Sequence, residues 1–151
     1  MEVVRGGCHC GNISFELTLR PRSAEIAARA CGCSFCLKHG GVWTASPTAM
    51  LRVGVSEPEQ VNRYRFGTRT AEFHVCRHCG VVPVVTSTID GRMYAVVSVN
   101  ALHDVPESML RRTQASFDGE GEGERLERRA RHWIADVRFV AGDVLAAERW
   151  A

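Results

Sequence analysis

The sequence predicts a single, mainly β domain, and three observations carry that prediction. Short segments alternate apolar and polar residues with the two-residue period of strands buried on one face. Seven cysteines fall into three clusters: C-H-C-G from Cys8, C-G-C-S-F-C from Cys31 and C-R-H-C-G from Cys76. Clear helical spacing of apolar residues over any length is confined to Glu124 to Asp136. A chain of 151 residues without a flexible linker or internal repeat has the length of one domain, residues 1–151.

Each element has its own signal. Ile13, Phe15, Leu17 and Leu19 alternate with Ser14, Glu16 and Thr18, and Pro21 ends this strand. Ser23 to Ala30 reads as a short helical turn or an apolar strand that delivers the chain to Cys31. Gly40 and Gly41 break the chain before a strand at Val42 to Ala45, and a turn at Pro47 precedes another at Met50 to Val55. Glu72 to Val75 alternates again and is followed, across the third cysteine cluster, by Val81 to Thr86. Cys76 to Gly80 therefore reads as the tip of a hairpin, with Pro83 predicting an edge strand or a bulge. Met93 to Val99 follows the Asp90-Gly91 turn and is apolar on both faces, as a central strand requires. Glu107 to Thr113 is expected as a short helix after Pro106, and Asp118 to Gly123 as a glycine-rich acidic loop. The helix from Glu124 to Asp136 then gathers Leu126, Ala130, Trp133, Ile134 and Val137 at helical spacing, with Glu124–Arg128 and Glu127–Arg131 as i,i+4 ion pairs. Val137 to Trp150 closes the chain as a last strand or a surface run.

Composition excludes several function classes. Hydrophobic residues at 45% and charged residues at 24% are close to globular averages, which excludes a disordered chain, a collagen-like repeat and a coiled coil. No apolar run approaches the ~20 residues of a membrane helix, and Met1 to Arg5 lacks a signal-peptide apolar segment, so a cytoplasmic protein with no membrane partner is expected. A formal charge of +2 is too small to argue for a nucleic-acid partner. The arginines of the C-terminal helix interleave with acids and read as a solvated face.

The cysteines carry the chemistry. Their number is odd and no secretory signal accompanies them, so reduced thiols are expected, and clustered reduced thiols point to metal. A structural zinc takes four ligands in a closed tetrahedron, usually two from each of two tight turns. A glycine follows the last cysteine in Cys8-His9-Cys10-Gly11 and in Cys76-Arg77-His78-Cys79-Gly80, where a chain turning sharply leaves N–H groups free for a thiolate. Cys8, Cys10, Cys76 and Cys79 are thus the expected structural zinc ligands. Cys31, Cys33 and Cys36 remain, and three ligands with one open position is the composition of a catalytic zinc. Two alternatives stay open: His39 closes a second structural site, or no second metal binds. A redox pair of Cys33 and Cys36 would leave Cys31 without a role. His9 and His78 read as exposed turn residues.

Gly6 to Glu16, Cys31 to Cys36 and Cys76 to Gly80, in that order, resemble the glutathione-dependent formaldehyde-activating enzyme family, which also includes centromere protein V. The resemblance spans about residues 3–102 and leaves 103–151 as a C-terminal extension. It implies an Mss4-like fold of small antiparallel sheets organised around zinc, here followed by the amphipathic helix. It implies a structural zinc on the first and third clusters and a second, labile zinc on the middle one. The implied reaction joins glutathione to formaldehyde as S-hydroxymethylglutathione, a carbon–sulfur lyase reaction in reverse, so small-molecule thiol and aldehyde are the expected partners. In that reaction Cys31, Cys33 and Cys36 would hold the reacting thiol, His39 would move the proton, and Lys38 would contact glutathione. The alternative is a zinc-structured binding module or a glutathione carrier without catalysis.

Overall fold

The alternating segments fold into two sheets around a shared core. The structure is a computed structural model describing residues 2–21 and 25–145. A four-stranded sheet has the order β1 (Glu2–Gly7), β2 (Ile13–Leu19), β5 (Met50–Val55), β11 (Asp136–Ala141). A seven-stranded sheet has the order β10 (Leu110–Ala115), β3 (Ile26–Cys31), β4 (Val42–Thr44), β9 (Arg92–Ser98), β8 (Val84–Ile89), β7 (Glu72–Cys76), β6 (Val61–Tyr64). Two helices complete the order, α1 (Ser34–His39) and α2 (Glu122–His132). Mainly β character and one longer helix near the C-terminus agree with the prediction.

The central strands of the seven-stranded sheet, β8 and β9, carry apolar residues on both sides because both sides are covered. Val84, Ala95 and Val97 join Phe15, Leu17, Leu51 and Val53 of the four-stranded sheet in the main core. Their neighbours Val85 and Val96 point the other way, with Phe73 and Trp43, into a second cluster under α2. The register pairs Val84 with Val97 and Val85 with Val96, so like faces stay together across the strands. β4 is short and pairs with β9 only at Ser98 and Val97. Ala95 is left free to exchange two backbone hydrogen bonds with Ile134, at 3.0 and 2.9 Å, which anchors the chain just after α2.

Several expectations are corrected by pairing between distant segments. Glu107–Met109 is a single 3-10 turn, and the rest of the expected helix is β10, because Leu110 to Ala115 find parallel partners in Ile26 to Cys31. β11 also pairs in parallel, with β5, so both sheets are mixed, and both parallel strands come from the C-terminal third. Ser23 to Ala30 resolves toward the strand alternative from Ile26; residues 22–24 lie outside the described residues. Pro83 marks no edge: β8 lies between β7 and β9, and Pro83 precedes its first residue, so no ladder N–H is lost. β1 and β6 carry no signal that the sequence reading used. α2 runs earlier than expected and ends before Trp133, whose ψ of 161° is extended, so that Asp136 can enter β11. The end of the closing segment, 146–151, lies outside the described residues.

Gly6 pairs with Phe15 across β1 and β2. A Cβ there would lie 2.4 Å from the Phe15 ring and 2.4 Å from the Ala101 carbonyl oxygen, and that oxygen belongs to backbone that cannot swing away. Gly6→Ala is expected to destabilise the fold by about 1–3 kcal/mol, read from denaturant unfolding midpoints.

Candidate metal centres and the cavity beside them

The first and third cysteine clusters meet across the two sheets. Cys8 and Cys10 follow β1, while Cys76 ends β7 and Cys79 lies in the turn before β8. All four sulfurs lie within 4.8 Å of one another. Cys8 to Cys10 is 3.7 Å and Cys10 to Cys76 is 3.5 Å. Zinc–sulfur bonds of about 2.3 Å in a tetrahedron need sulfurs roughly 3.8 Å apart, so this donor set fits zinc. The two glycines perform the turn expected of them. Gly11 has φ 87° and Gly80 φ 77°, and their N–H groups donate to the Cys8 and Cys76 carbonyls. The Ile13 N–H donates to the Cys8 sulfur at 3.2 Å. Burial pushes the Cys8 thiol up to about 12 and raises that of Cys76. Burial also opposes ionisation of Cys79, but N–H donors from Val81 and Cys10 outweigh it and hold this thiol at about 6. His9 and His78 are exposed, as expected, and His78 meets Glu57 at 3.1 Å.

The middle cluster is built on a single helical turn. Cys31 ends β3, Cys33 caps α1 by accepting the Cys36 N–H at 3.3 Å, and Cys36 is buried within the turn. The three sulfurs lie within 4.8 Å of one another. Trp43 donates its indole N–H to Cys36 at 3.4 Å. The Cys36 thiol donating to Cys31, followed by backbone and thiol donors of Cys33 and by the charge of Arg29, holds Cys31 down at about 5 against its burial. The same sharing, with burial, pushes Cys36 up. Gly41 is obligatory here, because a Cβ would stand 2.9 Å from both the Cβ and the sulfur of Cys36.

Beside these three cysteines lies a cavity of about 110 Å³. Its floor is the upper face of the seven-stranded sheet, with Trp43, Phe73, Val85 and Val96. Its roof is α2 and the segment before it. Glu120 accepts two bonds from Arg128, at 3.0 and 3.1 Å, and lies 3.4 Å from Arg125. The Arg128 guanidinium sits 3.5 Å over the Phe117 ring. Arg129 is 7% exposed and donates to the Thr70 hydroxyl at 2.8 Å and the Ser87 hydroxyl at 3.1 Å. Among the described residues neither Arg29 nor Arg129 forms an ion pair with a carboxylate, and Arg29 Nε, Arg129 Nε and Trp133 Nε1 are buried without an acceptor. Burial, and then repulsion from Arg128, lowers the pKa of both arginines, that of Arg129 to about 10.

These arginines correct the reading of α2 as a solvated face. Arg125, Arg129 and Trp133 recur every fourth residue and share one side of the helix, and that side closes the cavity. The spacing was visible in the sequence; the covering segment 116–121 was not. Neither expected i,i+4 pair forms among the described residues: Arg128 turns to Glu120 instead of Glu124, and Glu127 and Arg131 do not pair. Lys38 and His39 occupy the exposed end of α1 and do not line the cavity; the His39 ring packs on Phe35 at 4.4 Å.

A β domain with two thiol clusters able to hold metal, one opening on a cationic cavity, defines the class. The sequence pattern of the family described as glutathione-dependent formaldehyde-activating enzyme matches residues 3–118, and the chain belongs to that family. The match runs through β10 and ends at the segment that leads into α2. The chain is also similar to a Rhodobacter sphaeroides protein of known crystal structure, at 34% identity and a TM-score of 0.54, covering 72% of this chain and 99% of that one. Family membership supports a glutathione-related, formaldehyde-activating function. No helix among the described residues is long and apolar enough to cross a membrane.

Gly41→Ala is expected to lower metal retention at the middle cluster while the four-cysteine cluster keeps its metal. Elemental analysis of the purified variant reads this as loss of about half the metal that the parent carries.

Proposed function

We propose that the protein is a zinc-dependent enzyme of carbon–sulfur lyase type, acting on the adduct of glutathione and an aldehyde such as S-hydroxymethylglutathione. The single observation that carries this reading is a three-thiol cluster opening directly on a cavity walled by arginines. The four-cysteine cluster is the structural site, because it is closed by its own ligands and joins two sheets. Cys31, Cys33 and Cys36 would hold a zinc ion, which would supply Lewis acidity able to lower the pKa of an added thiol. The protein's own groups do the rest. Arg125, whose side chain is partly exposed, offers positive charge to a carboxylate of glutathione. The apolar floor excludes water and holds the carbonyl carbon against the sulfur. We assign the accompanying proton to His39 and solvent, and a glutathione carboxylate to Lys38, on their place just beyond Cys36 at the exposed end of α1.

Two zinc ions per chain are expected, one resistant to mild chelation and one labile. Cys79→Ser should abolish folding, since structural zinc binding supplies on the order of 10 kcal/mol of folding free energy, whereas Cys36→Ser should spare the fold and lose the labile metal. Circular dichroism showing equal damage from both would refute this division of roles. Zinc affinity should also rise with pH. The Cys8 thiol, held at about 12 by burial, must give up its proton on metal uptake, so competing protons weaken binding as pH falls. Competition with a chelator at several pH values measures the slope.

Catalysis is tested by NMR exchange between glutathione and its hydroxymethyl adduct, at protein concentrations far below substrate. The expected result is exchange faster than with Cys36→Ser. Equal exchange rates would leave a glutathione carrier or a binding module.

A further inference from the structure

The cavity is larger and more apolar than formaldehyde requires, and it holds a buried cation that formaldehyde cannot satisfy. Formaldehyde is one carbon and one oxygen. A cavity of about 110 Å³ approaches the ~150 Å³ that accommodates benzene. Glutathione is a polar tripeptide, too large for this volume and poorly matched to walls of Trp43, Phe73, Val85 and Val96. Its bulk belongs at the open side, with only its sulfur at the cysteines. The enclosed apolar space is left for whatever substituent the aldehyde carries.

The charge at the roof says what that substituent ends in. Arg29 lies two residues before Cys31 on the same face of β3, which places its charge at the cysteine end of the cavity. Arg125 and Arg128 share Glu120. Arg129, more than nine-tenths buried, donates to two neutral hydroxyls, from Thr70 and Ser87, and lies 5.1 Å from the centre of the Trp133 ring. No carboxylate stands at ion-pair distance from it among the described residues, and Glu120 reaches it only as a charge already shared by Arg125 and Arg128. A buried cation without an anion is costly, and an arriving carboxylate removes that cost. Trp133, one helical turn further on, lines the same cavity with an indole N–H that has no acceptor.

We infer that the aldehyde partner is a short aldehyde acid, with a body of a few carbons on the apolar floor and a carboxylate at Arg129. This rests on the carbon–sulfur reading of the site and names its electrophile. The thiol sulfur adds to the carbonyl carbon, forming the carbon–sulfur bond while the carbonyl π pair moves to oxygen. The thiol proton ends on that oxygen, giving a hemithioacetal with a neutral hydroxyl and an unchanged carboxylate, without oxidant or reductant. Arg129 belongs to α2, outside the matched residues 3–118, so this preference is set by the part of the chain that the family pattern does not cover.

The zinc-loaded protein is tested with glutathione and three aldehydes: formaldehyde, butanal and 4-oxobutanoate. NMR exchange, expressed relative to the uncatalysed rate, should favour 4-oxobutanoate over butanal by about 10- to 100-fold, the worth of a charge-assisted hydrogen bond. Arg129→Gln should erase that ratio, and Arg129→Lys should restore part of it. A readout independent of turnover is quenching of tryptophan fluorescence by butanoate, which has the body and the carboxylate but no carbonyl. Its affinity should fall about 10- to 100-fold in Arg129→Gln. Should that variant fail to fold by circular dichroism, the Arg129→Lys comparison and the parent's ratio decide. Equal acceleration of 4-oxobutanoate and butanal, or greatest acceleration with formaldehyde, overturns this inference and leaves the proposed function standing. No acceleration with any aldehyde overturns both.

Discussion

Four thiols converging from two sheets are the constraint on which the rest of the structure depends. Cys8 and Cys10 leave the four-stranded sheet, Cys76 and Cys79 cap a hairpin of the seven-stranded one, and their sulfurs come within 4.8 Å. Metal ligation at these four thiols would close a long loop, removing freedom from the unfolded chain and fixing how the sheets face each other. Once the sheets face, period two does the remaining work. Val84, Ala95 and Val97 must turn to the main core, and Val85 and Val96 must therefore turn away from it. The outward face is as apolar as the inward one, so it needs a cover of its own.

The cover makes the second site. β3 ends at Cys31 on the covered face, and the single turn of α1 returns Cys36 to it beneath the Trp43 indole. Chemistry at a thiol cluster placed over apolar floor takes place in low dielectric, where each charge matters more than it would in water. The arginine wall supplies charge that Glu120 balances only in part. A helix brought over a sheet to bury its apolar face thus also determines the electrostatics of the space it encloses.

The C-terminal third plays two roles at once. Its strands β10 and β11 close opposite sheets by parallel pairing, and α2 between them forms the roof. The edge strands hold the helix ends, and the Ile134–Ala95 bridge fixes the exit from α2. The family pattern ends at residue 118. The thiol clusters and the floor lie within it, while Arg125, Arg128, Arg129 and Trp133 lie beyond it, so the thiols and the roof of their cavity come from different parts of the chain.

The sequence by itself determined the strand segments with strict alternation, the hairpin at Cys76 to Gly80, the central position of Met93 to Val99 and the grouping of the cysteines into four and three. Each of these is fixed by local pattern: side-chain period, glycine at positive φ, or the ligand count of one metal. Tertiary structure decided what local pattern leaves open. Leu110 to Ala115 became a strand because Ile26 to Cys31 offered an unpaired edge, and Pro83 sits beside a central strand because its missing N–H falls outside the ladder. Lys38 and His39, adjacent in sequence to the middle cluster, lie at the exposed end of α1, whereas Arg129, far from it in sequence, lines its cavity. Sequence spacing sets what neighbours on one turn can do, but which helix face is buried depends on the sheet and the covering segment it meets, and those lie far away in the chain.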